Sequence, residues 1–247
     1  MFPFFRKIRK KMADDNRPLK YMRYAIGEII LVVIGILIAL QINTWNEERK
    51  TRIIETKTLK EIRANLMLDL IEINSDIEIM DSITLSGKAV IDYLGKHDKP
   101  SDAFKYNIQV SRLNPHFDPM HGGYSLLNSK GLDIISNDSL RGAISKLYES
   151  SYPYYEKYEN ERIFKINNII LPKYSEYFSF VTDPDNFFMS TSEISQADYI
   201  ALKNDASFIN ILNLTINEND VVQNRAQRTS GNVNDLIDLI NEELRGK

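Results

Sequence analysis

The amino-acid sequence predicts an all-α protein in which one N-terminal transmembrane helix continues into an elongated antiparallel helical bundle. Three observations carry this. Residues 25–42 form an apolar run that would cover roughly 27 Å as a helix, close to the ~30 Å hydrocarbon thickness of a bilayer. Leu66, Leu70, Ile73, Ile77 and Met80 recur at spacings of four and three, the seam of a coiled coil or helical bundle. Runs of alternating β-branched and aromatic residues, the mark of strands, are nearly absent.

The first element is a basic leader over residues 1–23, with Arg6, Lys7, Arg9, Lys10, Lys11, Arg17, Lys20 and Arg23 against Asp14 and Asp15. The 247-residue chain has a formal net charge of −3, so this net +6 leaves the remainder acidic at −9. Lys and Arg beside a span are retained on the cytoplasmic side, which predicts a cytoplasmic N-terminus and an extracytoplasmic bundle. Phe5, Ile8 and Met12 share one face of the leader and could lie on an anionic leaflet. Residues 24–44 are read as an uncleaved anchor, because no small-x-small cleavage site follows Leu40. The absence of cysteine excludes a lipid-modified cysteine, a disulfide framework and thiolate metal ligation.

Within the span, Gly35 and Ala39 form a small-xxx-small pair and Gly27 lies two turns earlier, so another helix could approach this face closely. Glu28 sits beside it, where a carboxylate must be hydrated, protonated or paired. Gly27, Glu28, Gly35 and Ala39 are therefore the predicted transmembrane contact face. Tyr24 and Trp45 bracket the span as interfacial aromatics.

The bundle is predicted over residues 45–247. No proline or glycine interrupts residues 43–82, so the first long helix should run unbroken over about 45–93. Its seam shifts phase upstream to Leu59 and Ile62, which favours packing inside a bundle over a long dimeric coiled coil. Pro100, Pro115, Pro119, Gly122 and Gly123 mark residues 95–123 as an irregular distal connection. Short helical pieces follow around 123–130 and 132–136, with Gly131 as a C-cap between them. Asn137, Asp138 and Ser139 supply caps for a helix over about 139–180, kinked or broken at Pro153 and Pro172. Asp205 caps a final helix over about 205–245, with Val222, Ala226, Thr229, Val233, Leu236, Ile240 and Leu244 along one face. Three long helices joined by reversing connections would leave, re-approach and leave the membrane in turn. That order would bring Phe187, Phe188 and Met189 to the membrane surface.

The run Tyr24 to Lys50, ending Asn43-Thr44-Trp45-Asn46-Glu47-Glu48-Arg49-Lys50, resembles the opening of domain-of-unknown-function family 6090, membrane proteins of Bacteroidota. The stretch Gly123 to Arg141, which includes Asn128-Ser129-Lys130-Gly131-Leu132-Asp133, resembles that family's second recurring motif. The resemblance implies a protein of the bacterial cell envelope. It supplies no reaction and no catalytic residue.

Chemistry-bearing motifs are sparse. His116, Asp118 and His121 in the distal connection are the weak candidates for an open three-ligand metal site, at a spacing that matches no established motif. Tyr148, Tyr152, Tyr155 and Tyr158 form a stripe read as core packing with hydroxyls reaching water, or else as the wall of a ligand pocket. Phosphate-cradling loops and nucleophile–His–acid arrangements do not occur. The concentrated basic segment abuts the bilayer while the bundle is acidic, which argues against nucleic acid as a partner. The expectation is a non-enzymatic interaction, sensing or structural module, without a cofactor. It would be a single-pass protein of the bacterial inner membrane with its bundle in the periplasm. Its partners would be the bilayer and a second copy or a separate membrane protein. The alternatives are a metal-assisted envelope hydrolase using the distal histidines and a cytoplasm-facing scaffold.

Overall fold

The computed structural model describes residues 18–182 and 190–246. Residues 1–17 of the leader predicted over 1–23 lie outside them, as do Phe187, Phe188 and Met189. Among the described residues the fold is all-α apart from one pair of short antiparallel strands, and the chain divides into two compact units, Met1–Ile54 and Glu55–Lys247.

Helix α1 runs from Pro18 to Lys96. Proline suits the first position of a helix, since its missing N–H would have no partner there. The part in the first unit is apolar around its circumference, with a window of mean hydropathy 2.6 of which none is buried. Leu31 and Ile29 are 70% and 62% exposed. This is one helix long and apolar enough to cross a membrane.

In the second unit α1 becomes amphipathic. Leu59, Ile62, Leu66, Asp69, Ile73, Asp76, Met80, Ile83, Val90 and Leu94 are buried along one seam. The predicted phase shift disappears, because Asp69 and Asp76 occupy seam positions that a count of apolar residues skips. Leu70 and Ile77, placed on the seam by sequence, flank it half-buried.

The segment after α1 is more structured than its prolines suggest. Asp102–Val110 form α2, capped by the Ser101 hydroxyl on the N–H of Phe104 at 3.2 Å. Residues 113–121 then run without regular secondary structure, as a strap that is neither helix nor strand and ends with His121 already in the α region. Helix α3 (Gly122–Lys130) ends at Gly131, whose φ of +95° few other residues adopt, and a 3-10 turn covers Leu132–Ile134.

Asn137 caps α4 (Asp138–Lys146) on the N–H of Leu140 at 3.1 Å. The chain stays helical through α5 (Tyr152–Lys165) and α6 (Leu171–Ser175), joined by π-helical turns at Leu147–Ser151 and Ile166–Ile170. Each π-turn ends one residue before the neighbour of a proline. Pro153 and Pro172 have no N–H to give the preceding turn, and the wider turn closes instead through Tyr152 N–H to Leu147 and Leu171 N–H to Ile166. The chain therefore passes both prolines without a break in helical structure, with a π-turn before each.

The prediction of helix as far as Phe180 is corrected. Helix α6 ends at Ser175, and β1 (Ser179–Thr182) pairs antiparallel with β2 (Ser190–Glu193), Phe180 opposite Ser192. Phe178 is buried in an aromatic cluster and Val181 faces out, a period of two that a helix does not provide. Helices α7 (Gln196–Lys203) and α8 (Ala206–Arg245) follow, capped by Ser195 and Asp205.

The long helices do not simply alternate. Glu55 binds Ser136 and Asp69 binds Tyr152, so the α4–α6 column ascends parallel to α1. Helix α8 runs antiparallel to both: Asn219 meets Met80, Ser230 meets Asn74, and Asn137 meets Glu243. The reversal that sequence assigned to the second long helix is made by residues 113–123, which descend α1 from Glu72 to Asn65. The paired strands therefore lie at the Lys96 end, where Glu193 pairs with Lys105 at 2.6 Å and Tyr199 donates to the His97 carbonyl. The paired strands are not at the Glu55 end; Phe187, Phe188 and Met189 themselves lie outside the described residues.

Two apolar clusters fill the second unit. One gathers Leu59 to Met80 of α1 with Leu140, Tyr152, Val222 and Ile240, and the other gathers Val90 and Leu94 with Phe104, Tyr174, Tyr199 and Phe208. On each long helix the two are separated by buried polar residues: Thr84 on α1, Glu159 and Arg162 on α5, and Thr215 and Asn219 on α8.

Candidate functional site

The strap over residues 113–121 poses a physical problem that its surroundings solve. A buried backbone N–H without a partner costs about 1–3 kcal/mol, and a lone segment without regular structure has no ladder to satisfy its own. Side chains take that role. Phe117 N–H donates to Glu159 Oε1 at 3.0 Å, Asp118 N–H to Glu72 Oε1 at 3.4 Å, and Met120 N–H to Asp69 Oδ1 at 2.8 Å. Gly123 N–H donates to Asn65 Oδ1 at 2.7 Å. The Arg162 guanidinium donates to the Pro115 carbonyl, and its Nη1 reaches Asn219 Oδ1 at 3.5 Å. The side chain of Phe117 is buried between the rings of Tyr152 and Tyr155, at centroid distances of 5.3 and 5.8 Å.

The strap thus rests on buried charge. Asp69, Asp76, Glu159 and Arg162 are each at most 6% exposed. Tyr152 donates to Asp69 Oδ2 at 2.7 Å, and Asn219 spans from the Met80 carbonyl (2.5 Å) to Thr84 (2.9 Å). One oxygen of Asp76 and Nε of Arg162 are buried without a hydrogen-bond partner. Burial is the main cause pushing the Asp76 carboxyl up to about 6, with the Glu72 charge adding to it and Arg162 and His116 opposing. Burial likewise pushes Glu159 up to about 7, against the pull of the Phe117 N–H and Arg162. Burial raises Asp69 as well, against the Met120 and Tyr152 hydrogen bonds.

Sequence reasoning does not find these acids, because charged residues along a helix ordinarily lie on its solvated face. A signal was present: Asp69 and Asp76 stand seven residues apart, each three after and four before an apolar seam residue. The tyrosine stripe packs in the core, as read, at Tyr148, Tyr152 and Tyr155, while Tyr158 is half-buried with its hydroxyl in an exposed pair with Tyr154 at 3.1 Å. Tyr148 stacks on Tyr124 at 4.4 Å and Tyr152 is committed to Asp69.

His116, Asp118 and His121 are all exposed, and among the described residues no group of three or more His, Cys, Asp or Glu is arranged to hold a metal ion. His121 instead precedes α3 with its ring 5.8 Å from Tyr148, and the Asp118 N–H is tied to Glu72. In the first unit, Gly27 and Gly35 have open space where a side chain would stand, Ala39 is exposed and Trp45 is 63% exposed. Tyr24 is helical, and its side chain lies outside the description.

Fold and site together define a helical protein with one exposed helix able to cross a membrane and a separate unit organised around a buried carboxylate cluster. Residues 28–219 match the sequence model of a Family of unknown function (DUF6090), and the chain belongs to that family. The match begins at Glu28 in the apolar run and ends at Asn219 in the polar layer. Comparison with curated proteins and with solved structures gives no match.

Proposed function

We propose that this chain is a single-pass protein of the bacterial inner membrane whose second unit is a non-enzymatic interaction module on the periplasmic side. The observation that carries the reading is the apolar window of α1, of which none is buried against protein. Exposed to water, such a run would cost about 25 cal/mol for each Å² of apolar surface, and a bilayer removes that cost. The net positive leader before the window and the acidic chain after it support a cytoplasmic N-terminus.

The carboxylates that could serve acid–base chemistry support an architectural role, since Asp69, Glu72 and Glu159 accept backbone N–H groups of the strap. Within the membrane, Gly27, Glu28, Gly35 and Ala39 form the face offered to a second copy or another membrane protein, the small residues admitting close approach.

The test exploits the lack of native cysteine. Single substitutions Lys99→Cys and Ala13→Cys are treated with a membrane-impermeant maleimide in cells with intact and with permeabilised inner membranes. Labelling at position 99 before inner-membrane permeabilisation, with position 13 protected, is expected. The reverse pattern would make the second unit a cytoplasmic scaffold. Loss of the cross-linked species on Glu28→Leu, without loss of insertion, is expected for the contact face.

A further inference from the structure

We infer that Asp76 and Glu159 form a proton-operated latch that holds the strap over residues 113–121 against the second unit and releases it as the carboxyl pair loses its proton. The geometry starts from a mismatch of charge. Asp76 of α1 and Glu159 of α5 are both buried, and the positive charge that acts on both is that of Arg162, itself buried and in hydrogen-bond contact with neither. Arg162 is itself engaged by Asn219 and by the Pro115 carbonyl, which limits what it can give to either acid.

The groups facing the pair come from each neighbouring element. Glu72 adds negative charge from α1, His116 on the strap draws Asp76 down, and Tyr155 on α5 faces Glu159. From α8 the polar neighbour is Asn219, which is uncharged. With one of the two carboxyls protonated, the single negative charge left is balanced by that of Arg162. With neither protonated, two carboxylates stand against one guanidinium in a site that solvates neither.

The strap is the element able to relieve this, because its hydrogen bonds go to side chains and no helix must break for it to lift. Lifting exposes Glu159 to water and gives up the Phe117 N–H and the Phe117 ring contacts. The sign follows from the direction of the shifts. Both carboxyls are raised by folding, so the closed form binds more protons than the open one. Its stabilisation is complete below the usual carboxylate range and is lost as pH rises through about 6 for Asp76 and about 7 for Glu159.

The experiment is hydrogen exchange followed by mass spectrometry on the full chain in detergent micelles, at pH 5.5, 6.5 and 8.0, with each rate corrected for intrinsic exchange. Expected in the wild type is a fall of about tenfold or more in protection of peptides covering residues 114–121 between pH 5.5 and 8.0. Asp76→Asn and Glu159→Gln each remove one charge while keeping the shape; either is expected to make the fall smaller than in the wild type, and the double variant to hold protection constant within about threefold. The two single variants keep the test open if one fails to fold, which circular dichroism at pH 8.0 reports. Constant protection in the wild type would overturn the latch. So would a fall of equal size in the folded variants, which would assign the pH dependence to other groups.

Discussion

At the scale of single residues, the close approach of α3 to α1 depends on a missing side chain. A Cβ built on Gly123 would lie 2.7 Å from the backbone nitrogen of Ile62 and 2.9 Å from its Cα, and helix backbone cannot yield as a side-chain tip can. The neighbouring Gly122 meets only Asn65 Oδ1, at 3.5 Å, an ordinary contact. Gly123→Ala is therefore expected to cost about 1–3 kcal/mol, in the range of overpacked cores, and to lower the urea midpoint. Gly122→Ala serves as the control and should cost less than half as much. The Gly123 N–H also donates to Asn65, so the clash would disturb the lower anchor of the strap as well.

At the scale of elements, the α4–α6 column shows how a helix accommodates two prolines by changing pitch. The column remains continuous because the π-turns relocate the hydrogen bonds that Pro153 and Pro172 cannot make. Its start depends on Asn137, whose side-chain oxygen holds the Leu140 N–H and whose amide reaches Glu243 at 2.7 Å. Asn137→Ala removes both, and a loss of about 1 kcal/mol is expected from the cap, read as a shift in chemical denaturation. Asn137→Asp keeps the cap acceptor but sets a carboxylate against Glu243. It should recover only part of that loss. Recovery in full would mean that the amide contact with Glu243 contributes nothing.

At the scale of the whole molecule, the two units solve different solvation problems. The first presents apolar side chains around the helix, while the second buries two apolar clusters and a polar layer of its own. A chain cut to residues 51–247 keeps the contacts of the second unit, including Glu55 with Ser136 at 2.8 Å. It is expected to purify without detergent, to show a helical circular dichroism spectrum and to melt cooperatively. The full chain should fractionate with membranes and require detergent. Aggregation of the shortened chain would mean that the second unit depends on the first for solubility.

Much of this protein was legible residue by residue. The apolar run, the caps at Asn137 and Asp205, the turn at Gly131 and the buried face of α8 are local patterns, and local patterns report burial and helix ends directly. The candidate site was not legible in the same way. Asp69 and Asp76 read as surface charge because the partners that justify their burial, the N–H of Met120 and the guanidinium of Arg162, lie far along the chain. The paired strands β1 and β2 were missed because they are four residues each and gain their order from Lys105 and Arg112, the latter 3.3 Å over the Phe180 ring. By itself the sequence determined the helical class, the helix long and apolar enough to cross a membrane, and most helix ends, since each follows from composition and periodicity within a few turns. Only the tertiary structure decided the direction of the second column and the use of core carboxylates. Both turn on a strap whose backbone must be satisfied by side chains from helices that the sequence does not show to be its neighbours.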